Sequence, residues 1–414
     1  MKILNCKLVN ATPEIKCFFL KFLHSYAEGE NIPANIANLS RCLGVSKTVV
    51  TDATKFLVAG GYLEKAIISP IEIGGPNVYR YSSRMLSGLL EDAKNNSGSL
   101  EECGEFSRLR NTTLIDDLLR PDVITSKTEQ KHHPLNLSNR LLLMVLLNHA
   151  DVCGVVRVLG FSDFIRLTGM KRDRLKSQLM KLQDLGYIRS CFSGMTGRYL
   201  LGAAKGVYFL NLRNERYSSG ATPGITVLYE DFGVTHQNSM REAKRICDLA
   251  TETQRAKSRK MNREKGILNA IERGRVFLPC DEKFERLASF FNDSKVPGFC
   301  RLFQLKLEEY ASIILSSHWE GVPVKSKYID DRPDQPNPAE ALITKIRSDL
   351  LPKEVLRPKP GVDPPVEEDM ALLTEFVYLV AAEMATRTKS ILCEVSGAPF
   401  EKMDHLILPA IDFH

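Results

Sequence analysis

The chain has 414 residues, of which 43% are hydrophobic and 26% are charged, and its formal net charge is +6 at pH 7. This length and composition are typical of a globular protein with two to four domains. No apolar run reaches the ~18 residues that a membrane span requires. The ten cysteines form no CxxC pair and no zinc-ligand spacing. We therefore expect a cytoplasmic protein with reduced thiols, no membrane association, no metal and no other cofactor.

The charge is unevenly divided along the chain. Residues 301–414 contain 13 Lys or Arg and 19 Asp or Glu, so residues 1–300 carry a net charge of about +12. A basic region attracts polyanions such as nucleic acid. Solubility alone would account for the overall charge but not for this asymmetry. The basic part is therefore the candidate polyanion-binding region.

Two stretches of the chain share one pattern without a gap. Residues 24–62 and 149–187, which are 125 residues apart, have seven identities in 39 aligned positions, where chance gives about two or three. The identical pairs are His24/His149, Gly29/Gly154, Arg41/Arg166, Gly44/Gly169, Leu57/Leu182, Gly61/Gly186 and Tyr62/Tyr187. The pattern predicts one supersecondary unit that occurs twice. We call residues 12–85 repeat 1 and residues 137–212 repeat 2.

Each repeat predicts three helices followed by a β-hairpin. In repeat 1, Ser46 is a suitable N-cap for the third helix, and in repeat 2 Ser162 is expected to cap the second helix. Lys171 occupies the position equivalent to Ser46, so the third helix of repeat 2 lacks a serine cap. The predicted elements of repeat 1 are helices at 15–27, 38–43 and 47–59 and strands at 62–68 and 78–81. Those of repeat 2 are helices at 141–149 and 171–184, the helix begun by Ser162, and strands at 188–192 and within 198–212.

A helix, a tightly spaced helix-turn-helix and a β-hairpin form the winged-helix arrangement. The segments NLSRCLGVSKTVVTDATKFLVAGGYLEK and SDFIRLTGMKRDRLKSQLMKLQDLGYIRS resemble the corresponding part of MarR-like and related bacterial regulators. They depart from the pattern at Lys171, which replaces the capping serine, and at Thr54, which stands where an apolar residue is usual. The resemblance implies a mainly α fold, with two winged-helix domains at 12–85 and 137–212 followed by a helical C-terminal region. It also implies binding of double-stranded DNA.

In a winged helix the third helix enters the major groove. The exposed face of this helix is more basic in repeat 2, and residues 137–212 have a net charge of +7 against +2 for residues 12–85. We expect repeat 2 to contact DNA, whereas repeat 1 either contacts DNA or serves in dimerisation or protein docking. The candidate DNA-binding residues of repeat 2 are Lys171, Arg172, Arg174, Lys176 and Ser177, with Arg198 and Lys205 in the hairpin. Those of repeat 1 are Lys47, Thr48, Thr51, Lys55 and Arg80.

Three further segments complete the chain. Residues 94–136 are polar and turn-rich, and they predict a linker with one helical interruption near 114–119. The linker allows the repeats either to lie about one turn of DNA apart or to pack directly together. The basic helical segment 238–275 is either a phosphate-contacting arm, through Arg255, Arg259 and Lys260, or an exposed helix of mixed charge. Residues 281–414 predict a helical domain for homo-oligomerisation or a protein partner, with helices at 281–292, 301–317, 338–350 and 366–394.

The sequence contains no motif that indicates catalysis. It has no GxxxxGK[ST] loop, no HExxH and no GxSxG, so we expect a protein that is not an enzyme. The expected function is sequence-specific DNA binding by a transcriptional regulator of a bacterium, phage or mobile element. Two alternatives stay open. One is a replication initiator or partition protein, because plasmid initiators also carry two winged-helix domains in one chain. The other is a scaffold whose winged helices bind proteins.

Overall fold

The chain folds into mainly helical structure with small antiparallel sheets, as predicted. The computed structural model describes residues 2–67, 77–82, 84–89, 91, 105–121, 135–151, 154–197, 199–212, 241–259, 284, 286–296, 298–317, 338–356 and 366–396. Two compact units are present: an N-terminal unit of residues 1–191 with 207–225, and a C-terminal unit of residues 192–206 with 226–414. Among the described residues, no helix combines the length and the apolarity needed to cross a membrane.

Repeat 1 has a three-stranded antiparallel sheet beside three helices. Its elements are α1 (Pro13–Ser25), β1 (Ile32–Pro33), α2 (Ile36–Leu43), α3 (Lys47–Ala59), β2 (Glu64–Ile67) and β3 (Asn77–Arg80). The last strand lies in the middle of the sheet, in the order β1-β3-β2. The Ser46 hydroxyl accepts a hydrogen bond from the backbone N–H of Val49 at 3.3 Å, which confirms the predicted cap of α3.

Repeat 2 has the same order of elements, with the additional strands β6 and β7 before its last strand. After α4 (Glu105–Leu119) come α5 (Leu137–Asn148), β4 (Val155–Val156), α6 (Phe161–Thr168), α7 (Arg172–Asp184), β5 (Ile188–Phe192), β6 (Met195–Thr196), β7 (Ala203–Ala204) and β8 (Val207–Leu210). The sheet order β4-β8-β5 again places the last strand in the middle. Helices α2 and α6, and likewise α3 and α7, begin and end 125 residues apart.

The shared glycines explain why the two repeats follow the same path. Gly44 and Gly169 end α2 and α6 with φ of 61° and 70°, in the left-handed region that a side chain disfavours. Gly29 and Gly154 have φ of 78° and 79°. Equivalent glycines therefore make equivalent turns, which supports the duplication inferred from the sequence.

The start of α6 differs from the prediction. Ser162 does not cap it; the N-cap is Gly160, whose backbone N–H donates to the Asp163 carboxylate at 2.9 Å. An acidic side chain in the first turn satisfies this N–H and also interacts favourably with the helix dipole, so a serine cap is not needed. No side chain caps α7, in agreement with the replacement of serine by Lys171.

The two repeats share one hydrophobic core in the N-terminal unit. Buried apolar side chains of both repeats and of α4 form a single cluster, and α1 packs directly against α5. Helix α4, within the predicted linker, packs against α1 and α5, and the Asn111 amide donates to the Ala150 carbonyl at 3.0 Å. Of the two arrangements that the linker allowed, direct packing is the one observed.

In the described residues of the C-terminal unit, the regular structure is helical apart from β6 and β7, which pair as a small antiparallel hairpin. Its helices are α8 (Arg241–Arg259), a 3₁₀ helix (Ala288–Lys295), α9 (Phe299–Ser317), α10 (Pro338–Leu350), α11 (Lys353–Leu356) and α12 (Glu367–Ser396). Three of the predicted helices lie within two residues of α9, α10 and α12. Within the helix predicted at 281–292, residues 284, 286 and 287 are α-helical, and the 3₁₀ helix that follows ends three residues beyond the predicted end.

The hairpin that follows β5 belongs to the C-terminal unit, although the sequence placed it in the same domain as the rest of repeat 2. The buried carboxylate of Asp293 accepts hydrogen bonds from the backbone N–H groups of Tyr199 and Leu200, at 2.8 and 3.1 Å. The Leu201 N–H donates to the Leu350 carbonyl at 2.7 Å. These backbone contacts join residues distant in sequence, so periodicity could not have predicted them.

Candidate nucleic-acid interface

Helix α7 presents its charged side chains to solvent because its apolar side chains are buried. Leu175 and Leu182 are fully buried, Leu179 is half-buried, and α7 packs against α5 and α6. Because an α-helix has 3.6 residues per turn, these three leucines lie on one face. The opposite face of this 13-residue helix, about 20 Å long, is left free.

The exposed face of α7 carries four of the predicted DNA-binding residues, Lys171, Arg172, Lys176 and Ser177. They lie at or close to the N-terminal end of the helix, the end that winged helices direct at base edges. The Arg172 guanidinium lies 5.7 Å from the centre of the Phe161 ring. This cation–π contact restricts the side chain while leaving it exposed.

Arg174 is also exposed on α7, but it is hydrogen-bonded to other helices of the N-terminal unit. Its guanidinium donates hydrogen bonds to the Glu14 carboxylate of α1 and to the Ser138 hydroxyl of α5, and the Ser138 hydroxyl donates to Glu14 at 2.9 Å. Burial alone would raise the pKa of Glu14, but the hydrogen bonds from Arg174 and Ser138 hold it below its usual value. Arg174 therefore attaches α7 to repeat 1, a contact that the sequence pattern did not reveal.

The remaining candidates of repeat 2 lie in its hairpin. Lys205 is exposed, and Arg198 lies outside the described residues. Lys205 follows β7 in the C-terminal unit, whereas α7 belongs to the N-terminal unit. The structure therefore describes the candidate helix and the candidate hairpin residue within different units.

In repeat 1 the equivalent face is less basic. Lys47, Thr48 and Lys55 are exposed on α3, but Thr51 is half-buried and donates to the Lys47 carbonyl at 2.9 Å. Arg80 on β3 is half-buried and donates to the side-chain oxygen of Asn31. The exposed residues also include the acidic Asp52, at the position where repeat 2 has Ser177.

The candidates on α8 are only partly described. Arg255 is exposed, the side chain of Arg259 is outside the described part of the structure, and so is Lys260. The choice between a phosphate-contacting arm and a solvated helix of mixed charge therefore stays a prediction.

Two lysines of α1 are buried, which the sequence analysis did not foresee. The Lys16 ammonium donates to the carbonyls of Leu4, Cys6 and Leu167 at 3.2, 2.6 and 2.6 Å. Burial lowers the pKa of Lys16 to about 7. The Lys21 ammonium donates to the carbonyls of Leu119 and Arg120, both at 3.1 Å. The only sequence signal was the position of both lysines inside the apolar run IKCFFLKFL.

The Lys16 and Lys21 contacts join distant segments of the N-terminal unit. Leu167 lies in the last turn of α6, so Lys16 neutralises part of the negative end of that helix. Leu119 ends α4, and Lys21 acts there in the same way. Repeat 1 is thereby attached to repeat 2 and to the segment between them.

No group of His, Cys, Asp or Glu in the described part of the chain could hold a metal ion. The chain matches no protein-family model, no curated protein and no solved structure. The assignment of the candidate interface is therefore supported by its geometry and its charge alone.

Proposed function

We propose that the protein binds double-stranded DNA sequence-specifically through repeat 2, as a winged-helix domain with α7 as its recognition helix. The observation that carries this proposal is the face of α7, on which Lys171, Arg172 and Lys176 are exposed while Leu175 and Leu182 are buried. A transcriptional regulator of a bacterium, phage or mobile element is the role that fits best, since such regulators use one exposed helix in this way.

Each basic side chain has a distinct expected contact. Arg172 is suited to guanine, because its planar guanidinium can donate two parallel hydrogen bonds to O6 and N7. The contact with the Phe161 ring already restricts the Arg172 side chain, so less conformational entropy is lost when it binds. Lys171 and Lys176 are suited to phosphates, which position the helix without reading the sequence.

Repeat 1 supports a second candidate function. Its third helix exposes Asp52 among Lys47 and Lys55, and residues 12–85 have a net charge of only +2. A carboxylate on this face would be repelled by phosphate, so protein docking through repeat 1 is the alternative that this observation favours.

The test replaces two α7 residues in the full chain, Arg172→Ala with Lys176→Ala. A DNA site is first selected with the wild-type protein from random duplexes, and affinity is then measured by fluorescence polarisation at several salt concentrations. We expect an affinity loss of at least about 10-fold, because an arginine–guanine pair contributes roughly 1–3 kcal/mol and a phosphate contact adds to it. Loss of the Lys176 contact should also reduce the salt slope by about 0.9.

The matched control is Lys47→Ala with Thr51→Ala, the equivalent positions of repeat 1. We expect the far-ultraviolet circular dichroism of both double variants to match the wild type, since Lys47, Arg172 and Lys176 are exposed and Thr51 is half-buried. A footprint shortened by a half-site in the control would show that repeat 1 also reads DNA. Unchanged affinity in the α7 variant would contradict the assignment of repeat 2.

A further inference from the structure

Two cysteines of the C-terminal unit contact each other from different helices. Cys247 lies on the buried face of α8, and Cys300 is the second residue of α9, against which α8 packs. Both are free thiols; Cys247 is buried and Cys300 is half-buried. The Ala243 N–H donates to the Gln304 side chain at 3.0 Å, one turn from each cysteine, and the Gln254 side chain donates to the Ala288 carbonyl at 2.6 Å. The two segments therefore run antiparallel with Cys247 beside Cys300, and Cys300 is the more accessible residue of the pair.

The two sulfurs differ in acidity. The hydrogen bond from Cys247 and a backbone hydrogen bond in the first turn of α9 lower the pKa of Cys300, although burial opposes them. The same hydrogen bond and burial raise the pKa of Cys247. Lys244 and Asp248, which form an ion pair at 2.8 Å, are the charged groups beside the pair. The Cys300 thiol is therefore the more acidic of the two.

We propose that Cys300 and Cys247 form a peroxide-sensitive dithiol, which closes into a disulfide between α8 and α9. In the first step the Cys300 thiolate attacks one oxygen of hydrogen peroxide, the O–O bond breaks, and hydroxide leaves, so that Cys300 becomes a sulfenic acid. In the second step the Cys247 sulfur attacks the Cys300 sulfur, the S–O bond breaks, and the Cys247 proton leaves with the departing hydroxide as water. The peroxide is reduced and the two thiols are oxidised.

Three other described cysteines, Cys6, Cys17 and Cys42, have different surroundings. Cys17 is fully buried, and burial raises its pKa to about 11. The thiol of Cys6 is buried and donates to the Leu89 carbonyl at 2.9 Å. Cys42 is exposed, but its contact is with the Asn38 amide oxygen at 3.6 Å. Cys42 is therefore the matched control for accessibility alone.

The disulfide would fasten α8 to α9 at one point. Helix α8 forms part of the basic helical segment 238–275, so oxidation would limit the movement of this segment relative to α9. Cross-linking also stabilises the folded state, because it restricts the unfolded chain between the two cysteines. Oxidised protein is therefore expected to have a higher Tm than reduced protein. This inference does not depend on whether the protein binds DNA.

The experiment treats the native full chain with hydrogen peroxide, alkylates the remaining thiols and maps the digest by mass spectrometry. We expect one cross-linked peptide pair, containing Cys247 and Cys300 and about 2 Da lighter than the two free peptides. Cys42→Ser should leave this cross-link unchanged. In Cys247→Ser, Cys300 should accumulate as a sulfenic acid that dimedone traps. In Cys300→Ser, Cys247 should stay reduced.

Because the cross-link is sought in the wild-type protein, the result does not depend on the folding of a variant. The proposal is overturned if Cys300 stays reduced at a peroxide concentration that oxidises Cys42. It is equally overturned if Cys300 is over-oxidised without a bond to Cys247, or if the oxidised and reduced proteins have the same Tm.

Discussion

Repeat 1 and repeat 2 have the same order of helices and strands apart from the β6–β7 hairpin of repeat 2, but they differ in how they use several cations. In repeat 1, α1 buries the ammonium groups of Lys16 and Lys21 against backbone carbonyls. The equivalent residues of α5 are Leu141 and Leu146, which are fully buried and apolar. Repeat 2 also buries one cation, Arg140 of α5, which donates to the Leu135 carbonyl at 3.3 Å, but it exposes Lys171, Arg172 and Lys176 on α7. Two copies of one backbone can thus bury a lysine at one position and expose extra basic residues at another.

The largest effect on folding is expected from Lys16→Met. The change leaves the carbonyls of Leu4, Cys6 and Leu167 without their donor, and each unpaired buried carbonyl costs about 1–3 kcal/mol. Since the change also removes the desolvation cost of the buried ammonium, we expect a smaller net fall in the free energy of unfolding, of about 2–5 kcal/mol in urea titrations. The matched change in repeat 2, Leu141→Met, conserves volume and should cost less than about 1.5 kcal/mol. Equal losses at both positions would show that the buried charge has no special role.

Gly29 and Gly154 occupy equivalent turns of the two repeats, but the space around them differs. Gly29→Ala adds a Cβ with no atom within 4 Å, so only the left-handed backbone, at about 1–2 kcal/mol, opposes it. In Gly154→Ala the new Cβ would lie 2.9 Å from the Leu212 side chain and 3.1 Å from the Leu210 carbonyl. We expect a loss of about 2–5 kcal/mol there, since crowding adds about 1–3 kcal/mol. Thermal denaturation of the two variants measures the difference, and a larger loss at Gly29 would contradict it.

The buried ammonium of repeat 1 should also make stability depend on pH. Burial lowers the pKa of Lys16 to about 7, whereas an unfolded chain releases this proton near pH 10.4. Between these values the unfolded state binds more protons, so the free energy of unfolding rises with pH, by at most about 1.4 kcal/mol per unit. Below pH 7 this slope disappears, because both states are protonated.

Urea titrations from pH 6 to pH 9 test this dependence. We expect Lys16→Met to lose the rise above pH 7, while Lys7→Met, at an exposed lysine, keeps it. The same pH dependence in wild-type and Lys16→Met proteins would show that Lys16 is not its source.

The smallest effects are expected at the helix caps. Lys171→Ser gives α7 the cap that Ser46 supplies to α3, and should stabilise the protein by about 0.5–1 kcal/mol. The same change would remove the phosphate contact that we propose for Lys171, so DNA affinity should fall and its salt slope should decrease by about 0.9. Ser46→Ala should lower stability by about 1 kcal/mol without changing DNA affinity. If the Lys171→Ser variant binds DNA as tightly as the wild type, Lys171 does not belong to the interface.

The sequence predicted the repeated scaffold because its determinants are local. Gly44 and Gly169 end their helices through their own backbone freedom, and Ser46 caps through a contact three residues away. The boundaries of α3 and of β5 follow the prediction to the residue. At the candidate site, the exposure of Arg172 and Lys176 was predictable from the spacing of the buried leucines.

Long-range contacts account for what the sequence did not predict. Arg174 has the same periodicity as its exposed neighbours, yet Glu14, 160 residues away, engages it. The position of Asp293 beside the hairpin of repeat 2 likewise depends on packing between distant segments. Helical periodicity describes one element at a time, so it cannot identify such partners.

The buried lysines of α1 have a consequence for the order of events during synthesis. Repeat 1 leaves the ribosome first, but the carbonyls that accept from Lys21 lie at residues 119 and 120, and one that accepts from Lys16 lies at residue 167. An ammonium group is strongly disfavoured in an apolar interior until it is paired. The nascent first repeat therefore cannot complete its interior alone, and it must wait for the downstream half of the N-terminal unit to be translated.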